Sequence, residues 1–235
     1  MKVLLSWSGG KDSAWALWRL RSVAELAAAY EVVGLVTTVN EVFRRVAVHG
    51  FREELLDRQA EETGLPLWKV PLPFPCTNAV YEERMAAVYA RAVADGVGAV
   101  AFGDLFLEDI RAYRLRTLEG TGLAAVFPVW GIPTGELAQT MLAGGLRARI
   151  TCCDPRVMHG AFAGREWDAA LLSELAAIPG GVDPCGERGE FHTFCYAGPM
   201  FRREIGVTAG EMVERDGFCY GDLLAVEGRG VGSDV

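Results

Sequence analysis

The strongest constraint on the fold is a regular alternation of short apolar runs and helix-like segments through the first half of the chain. The runs have the length and β-branched content of buried strands, and most are separated by alanine- or leucine-rich amphipathic segments. The predicted strands are 1–7, 31–39, 65–70, 97–102 and 123–126, and the predicted helices are 12–30, 50–63, 78–95 and one after 103–104. Such alternation with short connections is typical of a parallel sheet covered on both faces, and right-handed crossovers make it doubly wound. The first half is therefore predicted to be an α/β domain.

The character of the sequence changes after Phe127-Pro128, where the regular alternation stops. The predicted elements beyond this point are a helix at 133–142 with Thr134 as its N-cap, a strand at 147–153, a helix at 167–177 and a hairpin within 211–226 that turns at Asp216-Gly217. We therefore divide the chain into a first domain, residues 1–126, and a smaller α+β domain, residues 127–235. The last eight residues, GRGVGSDV, are expected to fray.

Composition excludes several classes of protein. Of 235 residues, 51% are apolar, which is enough for a sizeable core, yet no apolar run approaches the length of a membrane helix. No signal peptide is recognised, so we expect a cytoplasmic protein without a membrane partner. The 23 basic and 31 acidic residues give a net charge of −8, which disfavours a nucleic-acid partner.

The six cysteines contain no Cys-x-x-Cys pair, so we expect buried small hydrophobic residues rather than a disulfide framework. A zinc site is a weaker alternative because its ligands lack the usual spacing. The residues that could form it are Cys152, Cys153, Cys185 and His192.

One segment between the first strand and the first helix has the properties of an anion-binding loop. Its members are Ser8, Gly9, Gly10, Lys11, Asp12 and Ser13. Adjacent glycines let backbone N–H groups converge on an anion, and the helix that follows adds unpaired N–H groups and the positive end of its dipole. The segment is not a Walker loop, because Asp12 follows Lys11, and its adjacent glycines do not fit the dinucleotide pattern. The alternative is an ordinary strand-to-helix turn with a surface lysine.

This segment resembles the pyrophosphate loop of the PP-loop ATP pyrophosphatases, or adenine nucleotide α-hydrolases. The resemblance implies a five-stranded parallel sheet of order 3-2-1-4-5, cleavage of ATP between its α- and β-phosphates, and Mg²⁺ on the departing pyrophosphate. In that order the ends of strands 1 and 4 meet at the switch point where open sheets bind ligands.

Further candidate residues lie at these strand ends. Gly103-Asp104 ends strand 4, and Asp104 could serve the metal or only cap the next helix. Asp12 could likewise touch the metal or only favour the helix dipole. Thr37 and Thr38 end strand 2 and could meet adenine or ribose, or be ordinary strand residues.

Four longer stretches narrow the family. They are HGFREELLDRQAEETGLPL, FGDLFLEDIRAYR, FAGREWD and DPCGERGEFHTF, and together with the loop they resemble the diphthine–ammonia ligase family, in its bacterial branch. The resemblance implies that a carboxylate attacks the α-phosphate of ATP and that ammonia then displaces AMP from the acyl-adenylate. Because His192 stands where the wider family often has a Glu, we expect a substrate other than diphthine.

Provisional roles follow from the resemblance for the loop 186–190, and from residue type and position for the arginines and His49. Lys11, Glu190 and Arg111 are taken as catalytic, with Glu190 either holding ammonium or accepting its proton. Arg114, Glu187 and His192 are taken as substrate-binding, and His49 as a side chain that donates a hydrogen bond to a phosphate of ATP. Each has a structural alternative: Glu187 and Glu190 as a solvated hairpin face, His192 as a core histidine, His49 as a cap, and both arginines as local partners of Glu108 and Asp109.

The leading hypothesis is thus an ATP-dependent ligase that adenylates and amidates a carboxylate. An RNA-modifying adenylase lacks support because the chain shows neither a basic face nor a catalytic Cys-x-x-Cys. A nucleotide-binding sensor that lost turnover is the non-enzymatic alternative. The expected partners are a small-molecule or protein carboxylate and a source of ammonia; a homodimer is left open.

Overall fold

The computed structural model describes residues 1–226, and the predicted fraying of residues 228–235 lies outside them. Sheet A has a parallel core that runs through Leu67–Leu72 (β4), Glu31–Asn40 (β2), Lys2–Ser6 (β1), Ala99–Ala101 (β5) and Ala124–Val126 (β6). A two-residue strand, Arg45–Val46 (β3), adds an antiparallel pair at the end of β2. The predicted five-stranded parallel order 3-2-1-4-5 is confirmed, with β3 as a sixth strand.

Helices cover both faces of sheet A. They are Lys11–Ser22 (α1), Ala24–Ala29 (α2), Glu53–Thr63 (α3), Asn78–Ala94 (α4) and Glu108–Leu118 (α5). Buried residues of α1 and α3 belong to one apolar cluster, whereas those of α4 and α5 belong to a second cluster on the opposite face. The sheet is therefore doubly wound, as the alternating pattern predicts.

The second part of the chain forms sheet B, an antiparallel sheet of four strands. In spatial order they are Phe191–Ala197 (β8), Arg147–Cys153 (β7), Phe218–Ala225 (β10) and Val207–Arg215 (β9). Two helices, Thr134–Ala143 (α6) and Ala169–Ala177 (α7), and a 3₁₀ turn at Gly160–Phe162 accompany it. Asp216 and Gly217 both have positive φ between β9 and β10, so the predicted hairpin turn is confirmed.

Two local predictions are wrong. The single helix expected at 12–30 is interrupted at Val23, whose extended backbone ends α1 and precedes α2. Thr134 is the first residue of α6 rather than its cap, and its hydroxyl instead donates to Asp183 Oδ2 at 2.7 Å. That hydrogen bond connects α6 to the loop before β8. The Thr134 hydroxyl is therefore used in a tertiary contact and does not cap the helix.

The two sheets share one continuous core. The apolar cluster under α1 and α3 also contains residues of sheet B such as Ile150, Phe191 and Phe194. Three tryptophans, Trp7, Trp15 and Trp167, are almost fully buried in it. The proposed domain boundary at residue 126 stays a prediction, but the packing shows that residues beyond it support the end of β1.

No helix within residues 1–226 has the length and apolar character needed to cross a membrane. Four of the six cysteines are buried, as expected: Cys152, Cys153, Cys185 and Cys195. Within the described part of the chain, no group of three or more His, Cys, Asp or Glu side chains is arranged to hold a metal ion, so the zinc alternative finds no support there.

Candidate active site

The loop at residues 8–13 lies at the carboxyl end of β1, the central strand, and opens α1. Gly9 adopts φ +75°, and a Cβ there would fall 2.4 Å from Phe51 Cζ and 2.7 Å from Gln59 Oε1. Gly10 is the extended residue before α1. Only glycine fits position 9, because both the backbone conformation and the space exclude a side chain.

Side chains and strands far along the sequence hold this loop in place. The Cys195 N–H donates to the Gly9 carbonyl at 2.9 Å, and the Lys11 N–H donates to Thr193 Oγ1 at 3.1 Å. The buried Gln59 donates through Nε2 to the Gly9 and Cys195 carbonyls at 2.8 and 2.6 Å, and accepts from Trp7 Nε1 at 2.9 Å. Strand β8 and helix α3 therefore fix the backbone of the loop, which leaves little freedom for it to rearrange.

Lys11 is almost entirely buried, with its side chain 2% exposed. Its Nζ donates to Asp12 Oδ2 at 2.9 Å and to the Cys185 carbonyl. Burial alone would lower the pKa of Lys11, but attraction to Asp12, Cys185 and Glu187 outweighs it and raises that pKa above its ordinary value. Lys11 is thus a fixed cation on the cavity wall, not the mobile surface charge of an ordinary turn.

Asp12 offers an oxygen that its surroundings leave unused. Its Oδ1 is buried and has no hydrogen-bond partner among the described residues, and burial raises the pKa of this carboxyl despite the nearby Lys11. A carboxylate in this state gains from a further cation. Asp104, at the end of neighbouring β5, lies on the same cavity and contacts Arg114 Nε at 3.2 Å. Mg²⁺ commonly takes one or two carboxylates together with phosphate oxygens and water, so these two aspartates fit such an ion.

The loop opens onto a cavity of about 600 Å³ bounded by both parts of the chain. The predicted residues that line it are Ser8, Lys11, Asp12, Ser13, Thr37, Thr38, His49, Gly103, Asp104, Arg114, Glu187 and His192. The Thr37 hydroxyl donates to the Trp7 carbonyl at 2.6 Å, so it ties β2 to the end of β1. A cavity of this size accommodates a nucleotide-sized ligand.

Glu187 is the carboxylate that the loop before β8 presents to the cavity. Its Oε1 accepts from the Leu105 N–H at 2.7 Å. Burial raises the pKa of Glu187 to about 7, helped by the negative charges of Asp12 and Asp104 and opposed by the Leu105 hydrogen bond and by Lys11. A carboxyl group that titrates near neutrality can accept and release protons at physiological pH.

Glu190 lies in the same loop but does not line the cavity. It is 6% exposed, and its two oxygens accept from the backbone N–H groups of Asp183 and Arg188 at 3.2 and 2.9 Å. This geometry favours a structural role for Glu190, whose carboxylate is held by the loop backbone, and it brings Glu187 to the cavity; the catalytic role expected for Glu190 stays a prediction.

His49 and His192 lie side by side on the cavity wall with ring centroids 4.7 Å apart. His49 Nδ1 contacts the Thr193 carbonyl at 3.1 Å. Burial lowers the pKa of His49 to about 4, and burial together with His49 lowers that of His192 to about 3. Both rings are therefore neutral near pH 7 and could meet a ligand only as neutral hydrogen-bonding groups.

Two of the arginines of α5, Arg111 and Arg114, have different surroundings. Arg114 lines the cavity beside Asp104 and lies over the Phe102 ring at 5.0 Å. Arg111 does not line it: the guanidinium lies over Trp130 at 4.8 Å and Phe127 at 5.4 Å, with Glu108 3.8 Å away. This placement favours the alternative in which Arg111 has local partners, and its expected catalytic role stays a prediction.

Sequence reasoning missed several residues that the structure brings to the site. Gln59 and Thr193 hold the loop, and Asn78 and Tyr81 at the start of α4 line the cavity. No motif marks them individually. A polar Gln on the buried face of the amphipathic α3 was the one available signal, since buried polar groups need partners.

Three features together define a PP-loop nucleotide-binding protein. They are the parallel sheet, the loop at its switch point, and the ion pairs Lys11–Asp12 and Arg114–Asp104 on the cavity. Comparison with protein families agrees: residues 1–123 match the model of the diphthamide synthase N-terminal domain, and residues 134–222 match that of the diphthamide synthase C-terminal domain. These matches span nearly the whole chain, and the protein belongs to the diphthamide synthase family. Membership implies an ATP-utilising enzyme. No curated protein matches the chain.

Proposed function

We propose that this protein is a ligase that activates a carboxylate with ATP, releasing AMP and pyrophosphate, and converts it to an amide with ammonia. The observation that carries the proposal is the cavity itself, where the loop 8–13, Asp104 and Glu187 converge. Family membership supports ATP use and amidation in general. The proposal adds the order of steps and a substrate other than diphthine.

The loop would hold the β- and γ-phosphates through its amides and the first turn of α1, with Lys11 offsetting their charge. Asp12 and Asp104 would hold Mg²⁺ beside them. When bound, that ion offsets the charge on the departing pyrophosphate. An oxygen of the substrate carboxylate attacks the α-phosphorus, the bond to the β-phosphate oxygen breaks, and the pyrophosphate departs with that electron pair.

Amide formation would follow on the acyl-adenylate. The ammonia nitrogen attacks the acyl carbon, one of its protons passes to Glu187, and AMP leaves as the amide carbonyl re-forms. Glu187 is suited to this step because its pKa of about 7 keeps part of it ionised at neutral pH. The protein's other contribution is to hold the reactants in line within a cavity of fixed shape.

The test is the nucleotide product. The full chain is incubated with ATP, Mg²⁺ and a panel of carboxylic acids, with ammonium or hydroxylamine as acceptor, and products are separated by anion-exchange chromatography. We expect AMP and pyrophosphate in equal amounts, dependent on both acid and acceptor. Lys11→Met should abolish them, whereas Lys2→Met, at an exposed position, should not. ADP as product would refute the proposal, and ATP binding without AMP across the panel would favour the sensor alternative.

A further inference from the structure

A second cavity lies between α4 and α5, on the face of sheet A opposite to α1 and α3. It has a volume of about 740 Å³. Its floor is formed by Met85 and Tyr89, which are buried, and its walls include Ala90 of α4 with Tyr113 and Thr117 of α5. We call this cavity the α4–α5 groove. The catalytic scheme above leaves it without a role.

The groove adjoins the cavity onto which the loop 8–13 opens, which we call the nucleotide cavity. Tyr81 and Met85 line both, and Arg114, which faces the nucleotide cavity, lies beside Tyr81. The loop 8–13 occupies one side of the nucleotide cavity, with Thr37 and Thr38 at the neighbouring strand end. The side formed by Tyr81, Met85 and Arg114 therefore remains for a molecule that approaches the α-phosphate from the groove.

The lining of the groove favours an apolar or aromatic ligand. The aliphatic side chains of Met85, Ala86, Ala90 and Val93, all on α4, line the groove. Three phenols, those of Tyr81, Tyr89 and Tyr113, face it together with threonine side chains. One acidic and one basic side chain, Glu82 and Arg116, share the lining, so it carries no excess of charge. Ligand pockets of small molecules typically combine such an apolar surface with a few polar groups.

We infer that the α4–α5 groove binds the apolar or aromatic body of the carboxylic acid substrate and directs its carboxylate past Tyr81 into the nucleotide cavity. This inference rests on the proposed function for the identity of the ligand as the acid that is adenylated. It names the substrate class as a monocarboxylic acid with a hydrophobic body, in place of a short or highly charged acid.

The first experiment measures binding without turnover. The full chain, labelled with ¹⁵N, is titrated with 3-phenylpropionate while the NMR shifts of its backbone amides are followed. Acetate, which has no large apolar group, is the control acid. We expect shift changes at amides of 86–93 and 113–121 with 3-phenylpropionate, and none there with acetate. Ala90→Trp fills the groove and should weaken 3-phenylpropionate binding at least about tenfold. Ala87→Trp places the same side chain on an exposed neighbouring position outside the groove and should leave binding unchanged.

Shift changes confined to other surfaces, or Ala90→Trp binding within about twofold of the parent, would overturn the inference. So would a dimer in analytical ultracentrifugation that Ala90→Trp dissolves and Ala87→Trp preserves, because the groove would then hold a second copy. AMP release is measured separately with the same acids. If acids yield AMP but 3-phenylpropionate avoids the groove, the inference fails and the proposed function stands. If 3-phenylpropionate fills the groove and no acid of the panel yields AMP, the proposed function fails, and with it the assignment of the groove to a substrate.

Discussion

Replacement of Glu187 by Gln should make the protein more stable and less active. The carboxyl group is buried and its pKa is about 7, against an ordinary value of 4.5, so the folded state holds this proton more tightly than the unfolded state does. The free energy of unfolding therefore falls as pH rises from about 4.5 to about 7 and stays lower above that range. Gln has nearly the same shape, can still accept from the Leu105 N–H, and carries no charge to bury.

The size of the gain follows from the shift of the pKa. Relative to the neutral side chain, the ionisable Glu187 costs about 2 kcal/mol near pH 6 and about 3 kcal/mol near pH 9. Urea unfolding at these two pH values should thus show Glu187→Gln more stable than the parent, with the gap about 1 kcal/mol wider at the higher pH. Amide formation should fall by about 10²- to 10⁴-fold, because the proton acceptor is lost.

Glu83→Gln is the matched control, because Glu83 is an exposed carboxylate of α4. It should not reproduce the stabilisation expected of Glu187→Gln, and it should leave the rate of amide formation near that of the parent. The reasoning is refuted if Glu187→Gln is less stable than the parent near pH 9, or if the gap does not widen with pH. In the parent enzyme, the rate of amide formation should rise through a pKa near 7 as Glu187 ionises, and this limb should be absent from the Glu187→Gln profile.

Three further predictions concern the loop and its neighbours. Gly9→Ala should destabilise the protein by about 2–4 kcal/mol and abolish ATP binding in calorimetry, because the new side chain would combine a positive φ with a clash against Phe51. Gly120→Ala is the control: Gly120 has the same φ of 75° but no neighbour within 4 Å, so the substitution should cost only about 1 kcal/mol. Gln59→Leu should cost about 2–4 kcal/mol in urea unfolding and weaken ATP binding, because it leaves the buried Trp7 N–H and the Gly9 and Cys195 carbonyls short of partners; near-parent values for both would contradict its bracing role. Arg114→Ala should lower AMP formation by at least about tenfold, whereas Arg111→Ala should leave it near the parent rate, because only Arg114 lines the cavity. The reverse result would support the catalytic role expected of Arg111.

Much of sheet A could be predicted because its information is local. Each strand of the parallel core is a short apolar run that must be buried on both faces, and each helix has an apolar stripe. Chirality and short connections then leave few arrangements of such units, and the loop motif supplied the strand order. The turns also depend only on neighbouring residues: Gly64 ends α3 with a positive φ, and Asp216-Gly217 forms the hairpin turn.

The candidate site was predictable only in part. Residues 8–13, Asp104 and Thr38 lie at the carboxyl ends of predicted strands, and those ends meet at one edge of any parallel sheet. Glu187 and Glu190 could not be told apart, because they lie three residues apart in a loop with a positive-φ glycine, Gly189, between them. The direction of each carboxylate depends on how the loop is folded and packed: Glu187 accepts from the Leu105 N–H, 82 positions away, whereas Glu190 accepts from the Asp183 and Arg188 N–H groups of its own loop.

The amino-acid sequence by itself determined the class of fold, the anion-binding loop and the family, because periodicity, turn chemistry and a contiguous motif are properties of neighbouring residues. Only the tertiary structure decided that Lys11 is buried against Cys185, that Arg111 turns to Trp130, and that Gln59 and Thr193 hold the loop. These contacts join residues from about 20 to more than 180 positions apart, and burial, which sets the pKa of Glu187, exists only once those segments have packed together.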